Sequence, residues 1–221
     1  MTTDQYTIKI SNPYILDSDD KALVDKWKSE GNISANDWYD DRFSKLKKKI
    51  KSHYIQEQKN RCCYCLQEFR SDRHDEWDLE HIVPRSAKPT FMFEPINLCV
   101  SCKLCNSKKD DYVPLVNKKV VKVPVKSDRY KMFHVHMDDY KNHITCTFPG
   151  DFYKALDDKG VETITNCGLL RFYRFADRDV PDPQINDLAR GVITSVNNTV
   201  RDVLEIQLLK KLLEKHPDVT L

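Results

Sequence analysis

The spacing of hydrophobic positions changes along this 221-residue chain, and the changes divide it into parts. Tyr6, Ile8 and Ile10 alternate with polar residues ahead of Pro13, so the first fifteen residues read as extended or irregular. Asp17–Ser18–Asp19 then offers a helix N-cap before Ala22, Leu23, Val24 and Trp27, and Gly31 stops that helix. Ser34, with Asp37 three residues on, marks a second start. From there Trp38, Phe43, Leu46, Ile50 and Tyr54 recur every three to five residues, predicting one helix of about five turns. Its apolar stripe faces a core, and Lys45, Lys47, Lys48, Lys49 and Lys51 lie on its wet side.

Beyond residue 112 the pattern weakens. Val113–Pro114–Leu115 and Val120 to Val125 read as short strands or extended loop, with Pro114 and Pro124 arguing against central strands. Phe133 to Phe148 mixes aromatic, histidine and β-branched residues. Residues 151–161 are polar with Gly160 and read as a turn, and Thr163 to Phe175 resumes an apolar pattern. Asp182–Pro183 opens the last element, a long helix to His216 with apolar residues from Ile185 to Leu212 at helical spacing. Gly191 allows a bend or close packing. The stripe nearly follows a heptad, so core packing and a homo-oligomer or partner-helix surface are both readings of it. The divisions are an N-terminal helical region (1–60), a cysteine-rich core (61–112) and a mixed, then helical C-terminal region (113–221).

Five glycines, with abundant Lys, Glu, Asp and Leu, favour helix over an all-β sandwich. A net charge of +2 imposes no overall basic field. Residues 42–61, however, hold eight Lys/Arg against one acid, and residues 118–131 hold six against one. Two basic runs bordering the cysteine-rich core suit a surface that follows phosphates, although solvated helix faces account for either run alone. The opening MTTDQYTIKI lacks a basic, then apolar, leader pattern, and no segment reaches membrane-spanning length. With eight cysteines, the expectation is a cytoplasmic, non-membrane protein whose thiols are buried or hold metal.

Cys62-x-x-Cys65 and Cys102-x-x-Cys105 are two such metal knuckles. Zn²⁺ takes four soft ligands in a tetrahedron, and each C-x-x-C turn presents two thiolates. Cys99-x-x-Cys102 has the same spacing; the later pair is preferred because it directly precedes Asn106. Cys63, Cys99, Cys146 and Cys167 are then buried thiols. Four thiolates saturate zinc and leave no open position, so this site is structural.

Between and just beyond the knuckles lie Glu80–His81–Ile82–Val83–Pro84, Asn97–Leu98 and Cys105–Asn106–Ser107–Lys108–Lys109. In order and residue type this resembles the HNH endonuclease family, whose ββα-metal unit carries an acid–His strand, an Asn hairpin return and a Cys-x-x-Cys–Asn/His-x-x-Lys helix. The resemblance implies an α+β fold: an HNH core with a four-cysteine zinc, embedded in a mainly helical chain. It implies phosphodiester hydrolysis with His81 as general base, and Glu80 and Asn106 holding the catalytic ion. Family members often have Asp and His at those two positions. The oxygen donors here suit Mg²⁺ or Mn²⁺. Asn97 orients His81 or ties the hairpin. Arg85, Lys108 and Lys109 are candidates to hold phosphate, each weighed against solvated surface charge. Asp78, two residues before Glu80, lies on the same strand face and is an outer-shell ligand or a surface acid.

A looser likeness covers Phe133 to Tyr140 with His143–Ile144, then Thr163–Ile164 and Leu169–Leu170–Arg171. It is similar to the downstream region of retron- and Septu-associated HNH nucleases, effectors of anti-phage systems that work beside an AAA-type ATPase. His134, His136 and His143 invite a second metal reading, against the plainer one of hydrogen-bonded or exposed histidines. The expected function is a metal-dependent HNH endonuclease acting on nucleic acid, DNA rather than RNA. An RNA-cleaving HNH nuclease and a non-catalytic zinc-ribbon module that binds nucleic acid or protein are the alternatives.

Overall fold

Two short antiparallel hairpins and a set of helices enclose the aromatic residues that the hydrophobic pattern singled out. A computed structural model describes residues 7–69, 76–146, 149, 153–171 and 183–215. Tyr6, Phe148, Phe172, Phe175, Asp182 and His216 lie outside the described residues. The fold is α+β, mixed helix with small antiparallel sheets. None of the described helices is long and apolar enough to cross a membrane.

Ile8 and Ile10 are buried between exposed neighbours, and the Ile10 amide donates to the Val135 carbonyl at 2.9 Å. Helix α1 (Ser18–Ser29) starts where the Asp17 carboxylate accepts from the Asp20 amide. Gly31, at φ +70°, follows its end in the left-handed region that glycine adopts freely. Its Trp27 is buried and donates to Asp37.

The capping box at Ser34 and Asp37 forms, but the single helix predicted beyond it does not. Short 3₁₀ turns at Ala35–Tyr39 and Asp41–Phe43 precede helix α2 (Ser44–Glu57). Asp40 causes the break: its backbone is extended and its carboxylate accepts from the Arg42 amide, a local bond that competes with helix. Phe43, Leu46, Ile50 and Tyr54 are buried as expected. Lys49 leaves the wet side, holding Asp17 and Asp20 of the α1 start at 2.8 and 2.9 Å.

Strand β1 (Trp77–His81) pairs antiparallel with β2 (Leu98–Cys102), Glu80 opposite Cys99 and His81 opposite Leu98. Helix α3 (Lys103–Lys109) follows β2 directly. Buried Gln58, just past α2, exchanges bonds of 2.8 and 2.7 Å with the Val100 amide and carbonyl, tying α2 to β2.

Farther on, Val113–Leu115 and Val120–Val125 are loop, with an isolated bridge between Leu115 and Tyr130. The polar stretch read as a turn instead holds β4 (Tyr153–Ala155), paired with β3 (Ile144–Cys146), and the start of α4 (Asp158–Asn166). Asp157 caps α4 by accepting from the Gly160 amide. Gly160 lies against the β3 end, where a Cβ would stand 2.0 Å from the His143 carbonyl oxygen.

The long C-terminal helix is two helices, α5 (Pro183–Thr194) and α6 (Asn198–Lys215), which pack on each other. Asn197 caps α6 at the Val200 amide, and buried Arg201 donates to the carbonyls of Ser195 and of Ala155 in β4. Gly191 serves close packing, its α-carbon facing Leu204. The apolar spacing hides this break because it continues across residues 195–197.

The three histidines do not converge on a shared site. Fully buried His134 has no partner for either ring nitrogen, His136 bonds the Leu98 carbonyl at 2.7 Å, and His143 bonds Asp157. Burial, then the neighbouring His136, pushes His134 down to about 3, and burial pushes His136 down to about 4. An unfolded histidine titrates near 6.5. Between those values the unfolded chain takes up protons that the folded chain does not, so acid favours unfolding. The urea midpoint should therefore fall steadily from pH 7 to pH 5, and His134→Phe should flatten that dependence. A midpoint constant over this range would contradict the assignment.

Candidate functional site

The site is built from its sulfurs outward. The ligand atoms of Cys62, Cys65, Cys102 and Cys105 all lie within 4.8 Å of one another, and all four residues are buried. Tetrahedral zinc with bonds near 2.3 Å sets its sulfurs roughly 3.8 Å apart, and the Cys65 and Cys102 sulfurs are 3.9 Å apart. These cysteines are positioned to bind a metal ion, and the donor set suits structural zinc. Cys99 instead faces Cys63, sulfur to sulfur at 3.5 Å, so the alternative register does not form. Cys146 and Cys167 are buried thiols, as expected.

The first knuckle is gripped from downstream. The hydroxyls of Tyr140 and Tyr153 donate to the carbonyls of Tyr64 and Cys65 at 2.8 and 2.5 Å. Arg171 donates to the Cys105 sulfur at 3.2 Å and also reaches the Cys102 sulfur, placing positive charge beside the thiolates. No spacing rule in the sequence marks Tyr64, Tyr140, Tyr153 or Arg171 for these contacts.

Above this frame is a cleft of about 370 Å³ lined by Glu80, His81, Arg85, Ser86, Asn106 and Asp111, among others. A neighbouring cavity of about 720 Å³ shares Leu79, Arg85 and Asn106 with it and continues to Trp38, Tyr39, Lys47, Lys48 and Lys51. The hairpin and α3 thus bring Glu80, His81 and Asn106 to one cleft, and the lysines of α2 line the cavity beside it.

His81 is buried, its ring edge-on to Trp38 at 4.5 Å. Its Nε2 is 3.1 Å from the Met92 carbonyl. A carbonyl only accepts, so Nε2 carries the hydrogen and a neutral ring keeps its lone pair on Nδ1. Burial, then the nearby Arg85 charge, pushes this imidazole down to about 3, holding it neutral at physiological pH. Asn97 is fully buried and ties the hairpin: it accepts from the Val83 amide at 2.8 Å and donates to the carbonyls of Val83 and Phe91. It steadies the loop carrying the Met92 carbonyl.

Glu80 is buried, with the Lys109 ammonium 2.6 Å from Oε1 and the Tyr64 hydroxyl 3.0 Å from the same atom. Oε2 carries neither bond. Burial raises the Glu80 carboxyl from its ordinary range, with Lys109 opposing. Asn106 donates through Nδ2 to Asp78 at 2.8 Å, leaving Oδ1 as its oxygen donor. Glu80 Oε2 and Asn106 Oδ1 are the oxygens these bonds leave over, on two residues that line one cleft, and two such hard donors suit Mg²⁺ or Mn²⁺.

Two of the candidate phosphate residues, Lys109 and Lys108, do not line the cleft. Lys109 is buried, and besides Glu80 it donates to the His81 carbonyl at 2.9 Å, so its charge is internal. Lys108 lines neither cavity; its stem lies against Gly168, on another side of α3. Lys108 lies about 200° around α3 from Asn106, on the opposite side, whereas Lys109, three residues on, is a neighbour of Asn106 whose ammonium is drawn inward to Glu80. Arg85 does line both cavities, stacked over the Tyr39 ring and bonded to its hydroxyl at 2.7 Å.

Two outcomes are expected. Removing one sulfur, as in Cys105→Ser, should cost the protein its stoichiometric zinc by elemental analysis and lower its thermal midpoint. Lys109→Met should destabilise by about 3–5 kcal/mol in urea denaturation, because it strands a buried carboxylate. Combining it with Glu80→Gln should restore part of that loss.

Comparison with curated proteins finds a stretch of 90 residues 32% identical to the Septu protein PtuB of Bacillus thuringiensis. The stretch is 38% of this chain and 33% of that protein, so the chain spans about a third of the relative's length. No family model and no solved structure matches.

Proposed function

We propose that this protein is a metal-dependent nuclease of the HNH type that hydrolyses phosphodiester bonds, in DNA rather than RNA. The observation that carries the reading is one cleft lined by a neutral, oriented histidine, two hard-oxygen donors and an anchored arginine. A β-hairpin running straight into a short helix, with a four-sulfur site holding the helix start, supports the HNH assignment.

His81 Nδ1 accepts a proton from the attacking water, while Nε2 stays bonded to Met92 and fixes the ring. Glu80 and Asn106 would hold a divalent ion, which when bound would offset negative charge at the phosphate and the leaving oxygen. Arg85, already held by Tyr39 and the Ala35 carbonyl, meets the phosphate with little ordering cost. Lys48 and Lys51 on α2 continue the positive surface along the adjoining cavity, the path for the flanking backbone. This chemistry activates water and has no need of a 2′-hydroxyl.

The likeness to a Septu protein supports a role in bacterial anti-phage defence. An AAA-type ATPase is the partner this reading supplies. The apolar residues exposed on α6, Val200, Val203 and Ile206, offer a contact for that partner or for a second copy.

The test is plasmid cleavage by the zinc-loaded protein with Mg²⁺ or Mn²⁺, with and without chelator, and with the partner present. His81→Ala should lower the rate by about 10²–10⁴-fold while zinc content and thermal midpoint hold. Cleavage retained by clean His81→Ala protein would remove His81 as the base.

A further inference from the structure

We infer that Asp78 is a positioning residue for the catalytic ion: it holds the Asn106 amide so that the carbonyl oxygen, not the NH₂, is presented for coordination. The inference rests on the metal-dependent reading above and adds a residue to that site. An asparagine amide is nearly symmetric in shape, and turned the wrong way it would offer a cation two N–H donors. Its neighbour decides which way it turns. The Asp78 carboxylate is 2.8 Å from Asn106 Nδ2; a carboxylate accepts hydrogen bonds and repels a second oxygen, so only the amide nitrogen can face it.

Three features direct Asp78 to this task. It lies two residues before Glu80 on β1, on the strand face that serves the same site. Ser101 stands directly across from it in the strand register, yet the Ser101 hydroxyl makes no hydrogen bond, so the carboxylate is not engaged there. Asn106 lines both cavities whereas Asp78 lines only the basic one, which puts Asp78 behind the amide as seen from the cleft of His81. A neighbour that orients a metal ligand typically contributes about 10–100-fold to affinity.

Mn²⁺ titration of the zinc-loaded full chain, followed by the loss of free-ion electron paramagnetic resonance signal, reads this without any turnover. Asp78→Asn, which removes the constraint at constant shape, should weaken Mn²⁺ binding about 10-fold with the zinc content and thermal midpoint unchanged. Asn106→Ala should weaken binding at least as much. The double variant should bind no worse than Asn106→Ala alone, because Asp78 acts only through that amide. Unchanged affinity in Asp78→Asn would make Asp78 a surface acid and overturn the inference. Additive losses would overturn it too, by making Asp78 an independent ligand. Failure of the metal-dependent reading is distinguishable, since the unmodified protein would then bind no Mn²⁺, and the inference would fall with it.

Discussion

Four sulfurs meeting within 4.8 Å are the constraint on which the rest of the molecule depends. Two of them come from the turn after α2 and two from the β2–α3 junction, so closing the site fixes a long intervening loop at both ends. Loop closure of that length is costly in entropy when left to weak contacts. Soft-ligand coordination supplies it at one point, and the β1–β2 hairpin then has only to settle its register. The aromatic cluster of Trp27, Trp38, Phe43 and Phe93 packs the N-terminal helices against that hairpin and reaches His81 through Trp38.

The sulfur frame does not stand alone. Residues far downstream grip it through Tyr140, Tyr153 and Arg171, and Gly168 leaves the gap that the Lys108 stem fills. Tyr140, Tyr153, Gly168 and Arg171 therefore form a second wall of the metal frame. These tyrosines and this arginine bond backbone carbonyls and sulfurs of the knuckles.

The sequence made some of this legible and hid the rest. Cysteine spacing announced the metal frame because thiolate coordination tolerates few geometries. Glu80, His81 and Asn106 were legible as a family pattern, and the fold brings them to one cleft. The roles of Lys108 and Lys109 were not, because they depend on how a helix of a single pair of turns is rotated against a hairpin. The breaks at Asp40 and Asn197 were hidden by apolar spacing that runs on across them, while a side-chain cap ends one element and begins the next. The stretch ending in Gly160 looked like a turn for the opposite reason. Its glycine meets a steric need, the approach of α4 to the His143 carbonyl, rather than a need for unusual backbone angles.

Helix α3 has seven residues, well short of the roughly 12–15 at which an isolated helix begins to hold itself in water. Its first turn is set by Cys102 and Cys105, and its last is held by Lys109 on Glu80 and the His81 carbonyl. Asn106 sits between the two anchors, with almost no order of its own to fall back on. The cleft is therefore an all-or-none object. A chain with no ion at its four sulfurs would hold no weakened copy of this cleft, because neither end of α3 would then be fixed.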